Sequence, residues 1–179
     1  METKNLWAPW RIEYMKRLGE ADTSSDESSD CFLCEAAACE LGSEEAARRY
    51  VLLRDERGVL LMNLYPYTNG HLLVAGPEHV GEIGAMTAVQ RSGLMELAHL
   101  GQRVLDAAVN PHGFNFGINQ GRCAGAGVPG HAHMHVVPRW NGDTNFLTLF
   151  GNVRVIPQAL EDSYEHLVQT LGKMGPGNE

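Results

Sequence analysis

From Gly84 to about Val109 the apolar residues Met86, Val89, Leu94, Leu97, Leu100, Val104, Leu105 and Ala108 recur at helical spacing. They form one stripe of a long amphipathic helix, which Asn110-Pro111 ends. Elsewhere the pattern reads as strands. Tyr50–Arg54 and Gly58–Leu64 are joined by a turn at Asp55-Glu56-Arg57-Gly58, and His71–Ala75 is a buried strand after the loop Tyr65–Gly70. Phe114–Asn119 alternates, with Phe114, Phe116 and Ile118 on one face. The run His131-Ala132-His133-Met134-His135-Val136-Val137, closed by Pro138, alternates again. All three imidazoles are expected on one face, with Ala132, Met134 and Val136 turned into a core. Shorter helices are expected at Pro9, within the alanine-rich stretch of residues 31–49, and from Pro157 to about Leu171. Residues 19–30 are serine-rich and acidic, so residues 1–30 read as an arm and linker ahead of one domain, residues 31–179. The pattern is that of an α+β domain on a mostly antiparallel sheet.

Composition narrows the function classes. The chain has 179 residues, 44% hydrophobic and 20% charged, which suffices for one domain with a real core. A formal net charge of -8 argues against a nucleic acid polymer as partner, yet leaves room for a nucleotide held by local N–H groups. There is no apolar run of membrane-spanning length and no secretory h-region after Met1, so the cytoplasm is the expected compartment and no membrane partner is expected. Of the four cysteines, Cys31 and Cys34 form a CxxC pair, while Cys39 and Cys123 stand alone, which is no disulfide framework.

The chemistry is concentrated near residue 131. The loop Gly121–Gly130 has little side-chain bulk, so its backbone N–H groups can approach an anion closely. Three readings of the adjoining histidines stand side by side. They are strand histidines satisfied by water or carbonyls; or HxH ligands of a catalytic metal; or one is a neutral nucleophile for phosphorus, with its second nitrogen held as a donor. The glycine loop favours the last, because N–H groups stabilise charge building on phosphoryl oxygens. His71, at the head of another strand, is placed to orient the row.

His131-x-His133-x-His135-Val136-Val137 resembles the signature of the histidine triad superfamily of nucleotide hydrolases and transferases. Asn63, Gly70-His71-Leu72-Leu73-Val74, Asn119-Gln120-Gly121 and Ala124-Gly125 extend the likeness over about residues 50–158. The nearest likeness is to the fragile-histidine-triad-like branch with its bacterial diadenosine tetraphosphate phosphorylases, through Asn63 and the Pro138-Arg139-Trp140 and Val155-Ile156-Pro157-Gln158 segments. The resemblance implies a histidine triad fold with a five-stranded antiparallel sheet, a long packing helix and a C-terminal helix, assembled as a homodimer. It implies that His133 attacks the α-phosphorus of a nucleoside or dinucleoside polyphosphate, adenine nucleotides being the expected substrates. His131 and His71 would orient, His135 would contact the α-phosphate, Gln120 would hold the bridging region with Asn119 at the loop entry, and Asn63 would bond the ribose. Relatives carry Gln, Ser or Thr four and three residues before the first histidine; this chain has Gly127 and Val128, whose N–H groups would serve instead. Phosphate and water both remain open as the second acceptor, as does a binding module with little turnover.

Cys31-Phe32-Leu33-Cys34 is half of a zinc site or a pair of small buried residues. Some histidine triad proteins combine CxxC with two histidines. By that likeness the ligands of a structural zinc would be Cys31, Cys34, His79 and His131.

Overall fold

The computed structural model describes residues 31–143 and 158–175. Two short helices come first, α1 (Phe32–Ala38) and α2 (Glu44–Arg48). Ser43 starts α2, its hydroxyl accepting from the Ala46 N–H. Strands β1 (Val51–Asp55), β2 (Gly58–Met62) and β3 (Leu72–Ala75) follow, then the long helix α3 (Ala88–Val109), β4 (Gly113–Ile118), β5 (His133–Arg139) and the C-terminal helix α4 (Leu160–Met174). The five strands form one antiparallel sheet in the order β1-β2-β3-β5-β4.

Both faces of this sheet are covered, which is why β2 and β3 are buried at every position. On one face Leu60, Met62, Leu72, Val74, Met134 and Val136 meet Leu94, Leu97, Val104 and Leu105 of α3 and Leu167 of α4. Full burial of each such side chain stabilises by about 1.5–3 kcal/mol. On the other face Val59, Leu61, Leu73 and Ala75 meet Leu33 and Ala36 of α1 and Ala46 of α2. Gly58 opens β2 at φ +137, and a Cβ there would lie 2.0 Å from the Ala75 carbonyl oxygen, so only glycine fits.

Within the described residues the expected elements are present, with instructive differences. The long helix begins at Ala88 rather than Gly84, because Thr87 and Gln90 form a capping box and residues 83–85 turn as a 3-10 helix. Val89, placed by period on the buried stripe, is 81% exposed in the helix's first turn. Phe116 is 44% exposed although Phe114 and Ile118 pack on the core, since β4 lies at an edge of the sheet. Leu160 opens α4; Pro157 lies outside the described residues, as do the expected helix at Pro9 and the linker at residues 19–30.

The histidine row also differs. The β3–β5 ladder begins at Ala75↔His133, so His131 precedes the strand. There the Ala132 N–H donates to Val80 O (2.8 Å) and the His131 N–H to Val128 O (3.3 Å). The His131 ring stays on the side of His133 and His135, but joins Cys31 and Cys34 there rather than the other two imidazoles.

Candidate active site and metal cluster

Met134 and Val136 enter the helix-covered core, so the alternate positions His133 and His135 project from the opposite face of β5. They pair with Ala75 and Leu73 of β3, and His71 stands just before that strand, two residues from Leu73. His71 is fully buried and His133 is 4% exposed.

Hydrogen bonds assign a tautomer to each ring in turn. The Tyr67 N–H donates to His71 Nδ1 (3.1 Å), so that nitrogen is bare. Asn63 Nδ2 also approaches His71 Nδ1 (3.3 Å), while Asn63 Oδ1 accepts from the Tyr65 N–H (3.0 Å). The His71 proton is therefore on Nε2, which donates to His135 Nδ1 (3.0 Å). That leaves the His135 proton on Nε2, a buried donor with no partner among the described residues. Buried donors of this kind are rarely left unsatisfied without a ligand role.

His133 is set the opposite way. Its Nδ1–H donates to the main-chain oxygen of His131 (2.9 Å), so Nε2 carries a bare lone pair. The His133 and His135 ring centroids are 5.1 Å apart, so a ring with a bare acceptor nitrogen neighbours a ring with an unpaired donor. Burial pushes His133 below the ordinary histidine value, against the opposing pull of the His131 carbonyl. Burial, and then the neighbouring His133, pushes His135 down to about 4. Both rings are neutral at pH 7. The Tyr67 ring lies beside His71 and His135, with centroid separations of 4.6 Å and 5.8 Å.

Beside this triangle is a cavity of about 300 Å³ lined by Phe32, Tyr50, Leu61, Leu64, Tyr65 and Asn63, with Arg48, Arg49 and Met62. Sequence reasoning singled out only Asn63 among these residues; the other lining residues come from three separate stretches that only the fold joins. Asn63 borders the cavity with one carbonyl lone pair and one amide hydrogen beyond its two bonds. Asn119 donates to Gly125 O (3.4 Å), and Gln120 Oε1 accepts from the Ile83 N–H (3.0 Å). In the glycine loop the N–H groups of Ala124, Gly125 and Ala126 turn inward onto Gly121 and Arg122 carbonyls. No backbone carbonyl among the described residues engages those of Gly127 and Val128.

Cys31, Cys34, His79 and His131 converge on the same sheet face, their ligand atoms all within 4.8 Å of one another. Cys31 Sγ and Cys34 Sγ each lie 3.4 Å from His131 Nδ1, and Cys34 Sγ lies 3.3 Å from His79 Nδ1. A tetrahedral ion with ordinary Zn–S and Zn–N lengths spaces such atoms roughly 3.5 Å apart, so the donor set fits a metal. His131 Nε2–H donates to Gly76 O (3.1 Å), which leaves Nδ1 bare for the cluster and fixes the ring. Burial, and then Cys31, pushes the Cys34 thiol up to about 11. His131 thus serves twice, with its ring in the cluster and its carbonyl on the His133 ring.

The family model described as HIT domain matches residues 44–142, more than half of the chain. The chain belongs to the HIT family. A relative from Mycobacterium tuberculosis named AP-4-A phosphorylase is 37% identical over 90% of this HIT chain and 81% of its own length. Schizosaccharomyces pombe bis(5'-nucleosyl)-tetraphosphatase [asymmetrical] is 30% identical over 52% of this chain and 50% of that protein. Among solved structures, a Zn-bound histidine triad family protein from Mycobacterium smegmatis superposes with a TM-score of 0.62 at 26% identity, covering 83% of this chain and 97% of that one.

Proposed function

We propose that this HIT protein cleaves nucleoside or dinucleoside polyphosphates at the α-phosphate through a nucleotidyl-His133 intermediate. The observation that carries the reading is the His133 ring, with Nδ1–H held by the His131 carbonyl and Nε2 bare in a buried site. The Nε2 lone pair forms a bond to the α-phosphorus, and the bond to the bridging oxygen breaks with its electron pair, releasing the remaining phosphate chain. A second acceptor then forms its own P–O bond and the N–P bond breaks. A polyphosphate leaving group needs little general acid, so positioning supplies most of the rate. His135 Nε2–H is the donor to a non-bridging oxygen, with the Gly127 and Val128 N–H groups as further donors. The cavity beside Asn63 takes the nucleoside, its aromatic and aliphatic lining suiting a base and Asn63 the ribose.

Inorganic phosphate is favoured as the second acceptor by the likeness to the M. tuberculosis protein named AP-4-A phosphorylase. Water is favoured by the absence of a side-chain hydroxyl at Gly127 and Val128. Incubation with diadenosine tetraphosphate, with and without phosphate, separates the two. ADP plus ATP only with phosphate marks phosphorolysis, and AMP plus ATP in both tubes marks hydrolysis. Tight binding without product in either tube would replace the proposal with a binding module.

We further propose that Cys31, Cys34, His79 and His131 hold a structural zinc that ties α1 to the strand bearing His133. The homodimer belongs to the same reading: among the described residues β4 is one edge of the sheet and exposes Phe116, which suits pairing with a second copy. Among the described residues no helix is long and apolar enough to cross a membrane, and a nucleotide substrate suits the cytoplasm.

A further inference from the structure

The loop Tyr65–Gly70 carries the backbone N–H that sets the tautomer of His71, yet it has little regular structure of its own. Its anchoring comes from elsewhere. The Ser163 hydroxyl, 4% exposed on α4, donates to Asn69 Oδ1 (3.0 Å). Asn69 Nδ2 donates to Gln158 Oε1 (3.1 Å), just ahead of the same helix. The Thr68 hydroxyl donates to Pro138 O (3.0 Å), and the His71 N–H to Thr68 O (3.3 Å). These bonds fix the residues that directly follow Tyr67, so Tyr67 N–H is held over His71 Nδ1 and its ring beside His71 and His135.

We propose that Asn69, clamped between Ser163 and Gln158 of the C-terminal segment, is a positioning residue for catalysis: it holds the Tyr65–Gly70 loop so that His71, and through it His135, keep the tautomers the reaction uses. Asn69 is 94 residues from Ser163 and touches none of the reacting atoms. Its effect passes through Tyr67 N–H to His71 Nδ1, then through His71 Nε2–H to His135 Nδ1, and ends at His135 Nε2–H in the site. Without the clamp the loop N–H drifts, His71 samples both tautomers, and His135 Nε2 is a donor only part of the time. The α4 helix is thereby part of the catalytic apparatus although it packs on the opposite face of the sheet.

The inference rests on the nucleotidyl-transfer reading, and the experiment separates the two. Long-range 15N–1H correlation of the imidazoles in the full-length protein reads the tautomers directly, without turnover. Wild type is expected to show His71 and His135 each protonated on Nε2. Asn69→Ala should blur both into mixed tautomers and lower kcat on diadenosine tetraphosphate by roughly ten- to a hundredfold, with KM changed far less. Asn69→Asp keeps both bonds once the Gln158 amide turns over, and should restore signals and rate. Ser163→Ala, a smaller change, should give the same shift in weaker form and serves if Asn69→Ala fails to fold. Unchanged His71 and His135 signals together with a wild-type kcat in a folded Asn69→Ala or Ser163→Ala protein would overturn the proposal. If wild type turns over no nucleotide, the function reading fails, while unchanged imidazole signals in the variants would still sink the clamp.

Discussion

Loading zinc into the Cys31, Cys34, His79 and His131 cluster should release two protons, a count fixed by the donor set. The Cys34 thiol is held up to about 11, so it is protonated at neutral pH in the metal-free protein, and both cysteines must bind as thiolates. His131 releases none, because its Nε2–H is on Gly76 O and its Nδ1 is already bare. Two displaced protons raise the apparent affinity by about 100-fold per pH unit while both thiols are protonated when free. At a free zinc concentration 100 times Kd the metal stabilises the fold by about 2.7 kcal/mol. For a chain of this size that is roughly 5–11 °C in Tm. The assay is titration calorimetry on chelator-stripped protein in buffers of different ionisation heat, whose slope gives the proton count directly. Cys34→Ala should reduce the count to about one and weaken binding by orders of magnitude. A count near zero, or a Cys34→Ala protein that binds zinc like wild type, would refute the assignment of these four side chains.

Three further outcomes follow from the same geometry. Because burial depresses His133 and His135, and the proposed reaction uses the neutral rings, the acid limb of kcat/KM should lie below the ordinary histidine value of about 6.5; a limb at or above it would contradict the buried, neutral pair. The stability from keeping His135 neutral is complete above pH 6.5 and is lost as pH falls toward 4, an upper figure of about 3 kcal/mol that solvent screening of this half-shielded ring cuts to roughly 1–2, measurable by urea unfolding from pH 7 to 4.5. Gly58→Ala should cost at least about 3 kcal/mol in the same unfolding assay, since its Cβ meets the Ala75 carbonyl at 2.0 Å and its φ of +137 is strained for any side chain; a loss under 1 kcal/mol would mean that the β2–β3 contact is looser than described.

Much of this molecule was legible in the chain because the relevant signals are local. Period-two alternation correctly put Met134 and Val136 in the core and His133 and His135 on the other face, and helical spacing found α3. The same rules misplaced Val89, which lies in the first turn of its helix, where the apolar stripe is not yet covered by the sheet. The candidate metal cluster joins Cys31 to His131 across 100 residues, and no spacing rule reaches that far, so it came only from family likeness. The tautomers of His71, His133 and His135 were invisible, because they depend on single backbone groups at Tyr67 and His131. The Asn69 clamp was missed because a lone Asn in a loop and a lone Ser in a helix carry no pattern until the fold joins them.

The central claim is that His133 becomes covalently bonded to the nucleotide, and trapping that bond tests it most directly. Protein mixed with diadenosine tetraphosphate is quenched in alkali, in which a histidine N–P bond survives, then digested and mapped by mass. The account predicts an adenylyl adduct on the peptide bearing His133, with both adduct and turnover lost in His133→Asn while nucleotide binding is kept. Undiminished turnover in His133→Asn, or an adduct on a different residue, would contradict it.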